Sequence, residues 1–279
     1  MNNKRYKNNT KKRYSGKNKV STINPALLIK QAVSVEETPF KAEQNFSEMP
    51  LSQSLKNNIK RKGYVEPTEI QQKSINELIS GRNLIGVAAT GTGKTGAFLI
   101  PVIEKMLAND NTTCLVVVPT RELAMQVEDE FKSLTQGHRL FSACFIGGTS
   151  VNSDISKARK KNHLIVGTPG RLNDLTSRGA LRLGNTPILV LDEFDRMLDM
   201  GFIIDIKKII ALMKNRKQTM LFSATYEKSQ QKLISEFVQN PVKINVNNVN
   251  NAADTVEQDI LRVGVNENKF QAKRVSTQM

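Results

Sequence analysis

Short, unbroken apolar runs recur along the chain at residues 84–88, 114–118, 143–146, 164–166, 188–191 and 220–222, with 242–246 as a seventh. Continuous runs of this length read as strands buried on both faces, as in a parallel sheet. Stretches of helical period separate them. Residues 68–80 place Ile70, Ile75, Leu78 and Ile79 roughly on one face. Residues 121–135 do the same with Leu123, Val127, Phe131 and Leu134. Stripes at that spacing face a core. Strands alternating with helices predict an α/β fold, a doubly wound parallel sheet joined by right-handed crossovers. No internal repeat is visible.

Length adds a bound. A chain of 279 residues can bury one good core, expected over 46–246, with flanks at 1–45 and 247–279. The formal charge of +15 favours a polyanionic partner. Residues 1–19 hold eight Lys or Arg and no acid. A one-sign segment of low hydrophobicity cannot offset its ordering entropy, so 1–45 is expected to be a disordered basic extension. Two readings of it stand open: a flexible RNA-binding arm in which Tyr6 and Tyr14 stack on bases, or a solubilising tail. Cys114 and Cys144 fall in apolar runs and read as two buried thiols. With no spaced cysteine set they point to a reducing, cytoplasmic setting without zinc. His138 and His163 stand beside basic residues and read as solvated surface groups. The basic N-terminus lacks the apolar core of a secretory signal, and no apolar run approaches the ~18 residues of a membrane span.

Chemistry enters at two places. Gly91-Thr92-Gly93-Lys94-Thr95 follows the run at 84–88 and opens a helical pattern. Strand, tight loop and helix N-terminus together form an anion site, where backbone N–H groups converge on phosphates and the helix dipole favours their charge. Glycine at 91 and 93 lets the backbone approach the ligand or adopt positive φ. Lys94 supplies a point charge, and the Thr95 hydroxyl lies within reach of Mg²⁺. The second place is Asp192-Glu193, which closes the run at 188–191. Residues at the C-terminal end of a parallel strand face the ligand. Asp192 suits Mg²⁺ through water, and Glu193 is placed to orient or deprotonate a water. A glycine-rich string alone passes for an ordinary turn, and strand ends often carry solvated acids. The two in order, 98 positions apart (192 minus 94), leave that reading little room.

The residues around them carry a family likeness. Gly63-Tyr64-Val65-Glu66-Pro67-Thr68-Glu69-Ile70-Gln71, with Phe46 upstream, resembles the Q motif of the DEAD-box ATP-dependent RNA helicases. Ala88-Ala89-Thr90-Gly91-Thr92-Gly93-Lys94-Thr95 is similar to their motif I. Pro119-Thr120-Arg121-Glu122-Leu123-Ala124 matches motif Ia, and Gly147-Gly148 and Thr168-Pro169-Gly170-Arg171 match the next two RNA-contacting motifs. Asp192-Glu193-Phe194-Asp195 stands at the name motif, and Ser223-Ala224-Thr225 at motif III.

The resemblance implies a RecA-like P-loop NTPase domain that uses ATP and Mg²⁺. It implies that Gln71 reads the adenine edge, since its amide can pair with N6 and N7 at once, and that Phe46 stacks on the base. ATP would be held by Ala88, Ala89, Thr90, Gly91, Thr92, Gly93, Lys94 and Thr95. Catalysis would fall to Lys94, Asp192 and Glu193, and metal binding to Thr95 and Asp192. Pro119, Thr120, Arg121, Gly148, Thr168, Pro169, Gly170 and Arg171 would touch the RNA sugar-phosphate backbone without reading sequence. Asp195, Ser223 and Thr225 would couple RNA to closure.

Departures from the pattern are Ala88 in place of the first P-loop glycine, Ala89 for the commoner Gln, and Phe194 for the Ala of the name motif. None removes a residue the chemistry requires, and Phe194 is expected to change packing behind Asp195. Members of the family carry a second RecA-like domain whose arginines reach the γ-phosphate. Thr255-Val256-Glu257-Gln258 resembles the interdomain stretch, whereas residues 271–279 do not match. The chain is therefore expected to be the front half of a helicase. Two functions follow: the ATP-binding half of an enzyme, nearly inactive alone, or an RNA- and nucleotide-binding module that regulates or competes with an intact helicase.

Overall fold

The computed structural model describes residues 40–227 and 230–246. The basic extension at 1–39 and the expected interdomain stretch and tail at 247–279 lie outside the described residues.

Seven parallel strands form one sheet: β1 (Leu84–Ala88), β2 (Cys114–Val117), β3 (Ser142–Phe145), β4 (Leu164–Gly167), β5 (Ile188–Leu191), β6 (Gln218–Ser223) and β7 (Val242–Val246). Their order across the sheet is β3-β4-β2-β5-β6-β1-β7. Nine helices lie among the described residues: α1 (Gln53–Arg61), α2 (Glu69–Ile79), α3 (Lys94–Ala108), α4 (Arg121–Leu134), α5 (Val151–Ala158), α6 (Pro169–Ser177), α7 (Phe194–Asp199), α8 (Ile203–Leu212) and α9 (Gln231–Phe237).

The apolar runs are continuous because both sheet faces are covered. In β5, Ile188 and Val190 join one core while Leu189 and Leu191 join the other; β2 divides in the same way between Cys114 and Val116 on one side and Leu115 and Val117 on the other. Buried residues of α1, α2, α3 and α4 fill the first core, and those of α6, α7, α8 and α9 the second. This is the doubly wound α/β arrangement that the periodicity predicts.

The runs at 84–88, 188–191 and 242–246 coincide with β1, β5 and β7. β6 begins two residues before the expected 220–222 run and ends one after it, because Gln218 and Thr219 are polar yet buried. The Gln218 amide donates to the carbonyls of Leu78 (3.0 Å) and Arg82 (2.7 Å), and the Thr219 N–H donates to Asn83 Oδ1 (2.7 Å). Satisfied polar groups of this kind escape a hydropathy pattern.

Two single-residue expectations need correction. His163 is not solvated: it is fully buried, its Nδ1 accepts from the Phe141 N–H (3.0 Å), and its Nε2 meets Asp110 Oδ1 (2.9 Å). The acid that accounts for it lies 53 positions away, out of reach of local sequence reading. Cys114 is buried as expected, but Cys144 is only half-buried; burial still pushes its thiol up to about 12.

Candidate functional site

All strands are parallel, so the loops after β1 to β6 emerge at one edge of the sheet, and every motif residue from Ala89 to Thr225 lies on them or on the helix turns they lead into. Strand order sorts them. Side by side, β3, β4 and β2 carry Gly147-Gly148, Thr168-Pro169-Gly170-Arg171 and Pro119-Thr120-Arg121. Next come β5, β6 and β1, carrying Asp192-Glu193-Phe194-Asp195, Ser223-Ala224-Thr225 and the glycine loop. The loops that the resemblance gives to RNA thus form one half of the edge, and those it gives to nucleotide form the other.

In the glycine loop Gly91 and Gly93 have φ of +85° and +91°, the region where an L side chain is strained. A Cβ on Gly91 would meet nothing within 4 Å, whereas one on Gly93 would stand 2.6 Å from Gln71 Nε2. Lys94 opens α3 and is buried, its Nζ donating to the Ala88 carbonyl at 2.8 Å. Thr92 Oγ1 donates to the Ala89 carbonyl at 2.8 Å. Thr90 is exposed, and Ala89 and Thr95 are half-buried.

Gln71 is buried at the first turn of α2. Its Oε1 accepts from the Thr68 N–H (3.0 Å), closing a capping box, and its Nε2 donates to the Gly93 carbonyl (3.0 Å). One donor and one acceptor of the amide are thereby used on backbone, and one of each remains. Phe46 departs from its expected place. It is 4% exposed within the first core, with its ring stacked on Tyr64 at 6.3 Å between centroids, so it offers no open face to a base.

Asp192, at the end of β5, is 2% exposed. Burial pushes its carboxyl up to about 6, against the opposing pull of the Lys94 charge and the Glu193 N–H, which donates to Oδ1 at 2.9 Å. Glu193 has φ +49°, a strained value for a residue with a side chain, of the kind that clusters at functional sites. Its carboxylate pairs with Arg196 at 2.7 Å. The sequence places Arg196 in the stretch that follows the name motif but gives it no role, although its position three residues on from Glu193, one helical turn along, is a usable signal.

Asp195 Oδ2 accepts from the N–H groups of Ala224 (3.1 Å) and Thr225 (3.0 Å) and from Thr225 Oγ1 (3.2 Å). The Asp195 N–H donates to Ser223 Oγ at 3.3 Å. The three residues expected to act in coupling are therefore directly bonded. Phe194 is fully buried in the second core, edge-on to Phe237 at 6.1 Å, which fits a substitution felt in packing.

On the other half, Thr120 caps α4 by accepting from the Leu123 N–H at 3.3 Å, and Arg121 is exposed. The Arg121 guanidinium lies over Gly147 and Gly148; a Cβ on Gly148 (φ +85°) would stand 2.5 Å from its Nη1. Pro119 and Pro169 are buried, Thr168 is half-buried, and Gly148 and Gly170 are exposed. Arg171 is the exception to its expected role. Its side chain is 9% exposed, with Nη1 on Asp154 Oδ2 at 2.6 Å and Nη2 on the Thr149 carbonyl at 3.0 Å. It ties α6 to α5 and to the glycine turn, which commits two of its five donors to protein partners. Asp154, its fully buried partner, gave no sequence signal.

A DEAD/DEAH box helicase family model matches residues 68–233, more than half of the chain. The chain belongs to the DEAD/DEAH box helicase family. The DEAD-box ATP-dependent RNA helicase CshA of Geobacillus kaustophilus is 40% identical over 219 residues, 78% of this chain and 47% of the relative. The crystal structure of a DEAD box protein from the hyperthermophile Methanococcus jannaschii superimposes with a TM-score of 0.69 at 40% identity, covering 72% of this chain and 55% of that one. A second, of a hypothetical ATP-dependent RNA helicase from Sulfolobus tokodaii, gives 0.66 at 37% identity, covering 70% and 57%. The chain spans about half the length of the curated relatives it matches. Its fold is the RecA-like sheet of those structures.

Proposed function

We propose that this domain binds ATP with Mg²⁺ beside β1 and β5, holds an RNA backbone on the loops of β2, β3 and β4, and acts as the nucleotide-binding half of an ATP-dependent RNA helicase. The observation that carries this reading is the sorting of the motif loops along one sheet edge, with the Asp195 to Ala224 and Thr225 bonds at β6. Gly91 leaves open space where phosphate oxygens would approach, and Lys94 is held at the helix N-terminus to meet their charge.

The donor set fits magnesium. Among the described residues no group of three or more His, Cys, Asp or Glu could hold a metal ion, and Mg²⁺ in phosphoryl-transfer sites keeps waters and binds through one or two protein groups plus phosphates. Asp192, through water, and the Thr95 hydroxyl would hold it, and it would neutralise charge on the β- and γ-phosphates. Glu193 aligns a water and takes its proton as the water oxygen bonds to the γ-phosphorus and the bond to ADP breaks. Gln71, with one donor and one acceptor left, presents them to the adenine edge. Arg121 and the exposed Gly148 and Gly170 backbone contact RNA phosphates, which gives affinity without sequence reading.

Fluorescent ADP and GDP titrations test the nucleotide assignment. ADP is expected to bind more tightly than GDP by ~1–3 kcal/mol, the cost of mismatched buried polar groups, with the preference lost in Gln71→Ala. Equal affinities in the unmodified chain would refute the adenine reading. The resemblance places further γ-phosphate contacts on a second RecA-like domain, and such arginines are worth ~10³–10⁵ in rate. The 279-residue chain alone is therefore expected to show near-background ATPase at saturating RNA. Robust RNA-stimulated turnover by it would contradict that division of labour.

A further inference from the structure

The opposite edge of the sheet, away from every motif, holds a cavity of about 900 Å³ that the helicase reading leaves unused. It lies among the end of α3, the turn after it, and the segments leading into β5 and β6. Lys105, Arg216 and Lys217 line it together with Asn109, Asn185 and Asn215, and among the described residues no carboxylate does. Asp110, in the same turn, pairs instead with Lys161 and His163.

Arg216 is the anomaly. Its Nη1 is buried with no hydrogen-bond partner among the described residues, and burial lowers its pKa. A surface arginine normally extends its head into water, and burying one of its donors without an acceptor carries a desolvation cost. Lys105 is desolvated too, and its Nζ donates to the neutral Gln218 Oε1 at 2.7 Å. Cations gathered in one concavity without counter-charge call for an oxyanion, and arginine favours phosphate. Asn185 and Asn215 are bonded to each other at 2.9 Å, and each amide retains further donors and acceptors for hydroxyl groups.

We propose that this cavity binds a small phosphate ester with hydroxyl groups, of the sugar-phosphate class, its phosphate on Arg216 and Lys217 and its hydroxyls on the asparagines. The volume falls within the range of small-molecule sites, ~300–1,000 Å³. Among the described residues no aromatic side chain lines it, whereas single-stranded RNA sites stack bases on aromatic rings.

Ribose 5-phosphate, ribose, inorganic phosphate and an oligouridylate are titrated in turn into the ¹⁵N-labelled 279-residue chain at fixed ionic strength, with the Asn185 and Asn215 side-chain amides followed by NMR. The Gly91 and Gly93 amides report separately on the phosphate loop. Ribose 5-phosphate is expected to shift the asparagine signals saturably, and ribose is not. Arg216→Ala is expected to weaken binding about tenfold or more, as for loss of a hydrogen bond to a charged group. Arg216→Lys and the exposed-site variant Lys217→Ala are expected to weaken it less while keeping the fold. Equal affinity for inorganic phosphate would keep the oxyanion site and name free phosphate as its occupant. Absence of a saturable shift at these asparagines, an unchanged affinity in Arg216→Ala, or a stronger response to oligouridylate would overturn the proposal.

Discussion

Asp192 shows how one residue can serve function against stability. Its carboxyl sits near 6 in the ligand-free fold because burial disfavours the charged form. In the unfolded chain it titrates near its ordinary value of 3.8. The folded state therefore holds the proton more tightly, and the stability this contributes is full below the unfolded value and lost as pH rises through about 6. The loss is on the order of 3 kcal/mol. Asp192→Asn removes the titration. Urea denaturation of both proteins without nucleotide or Mg²⁺ is expected to show the variant gaining on the parent between pH 4 and pH 7. A pH-independent difference would mean that Asp192 is ionised at little cost. Sequence marked this residue because a strand end and a glycine loop are both local signals. The Arg171–Asp154 and His163–Asp110 pairs were not legible, because each partner is chosen by the packing of separate elements. Phe46 misled for a related reason: an isolated aromatic reads alike whether it meets a ligand or, as here, Tyr64.

At the scale of elements, apolar runs named every described strand. The largest misplacement, two residues at the start of β6, fell where Gln218 and Thr219 are buried with partners, and β2, β3 and β4 differ from the runs by no more than one residue at either end. The side-by-side order of strands was hidden, because hydropathy records burial and not neighbours. One residue of β1 shows how tightly that order is packed. Gly86 pairs with Phe222 on β6 and with Ile244 on β7, and a Cβ on it would stand 2.8 Å from the Phe222 ring and 3.3 Å from Ile70. Gly86→Ala is expected to cost ~1–3 kcal/mol through overpacking, read as a lower urea midpoint at unchanged slope. Phe222→Leu in the Gly86→Ala background is expected to restore part of the loss. A neutral Gly86→Ala would show that the ring has room to move. The same strand ends in the loop that holds Lys94, so weaker ADP binding is expected to accompany the lost stability.

The whole molecule carries +15, and RNA binding is expected to be dominated by phosphate contacts and therefore by salt. The logarithm of affinity for a single strand falls with that of salt at about 0.7 per phosphate neutralised. Arg121→Ala, which removes an exposed cation at the start of α4, is expected to flatten the slope by about 0.7, whereas Arg171→Ala is expected to lower stability through the orphaned Asp154 and leave the slope alone. The reverse result would exchange the roles of the two arginines. Deleting residues 1–19 separates the arm from the solubilising tail in the same assay, since only an arm contributes to the slope. The placement of β6 has a consequence of another kind. Neighbouring strands lie about 4.8 Å apart, so the single strand between β1 and β5 sets the glycine loop and Asp192 two spacings apart, about 10 Å between backbones. Direct neighbours would leave no room between them for two side chains and a hydrated cation. β6 is thus a spacer that sets the aperture of the proposed nucleotide site. Because Asp195 is bonded to its last residue and the two that follow, a pull on Asp195 would reach a strand that is paired with both β1 and β5, the two that flank the proposed nucleotide site.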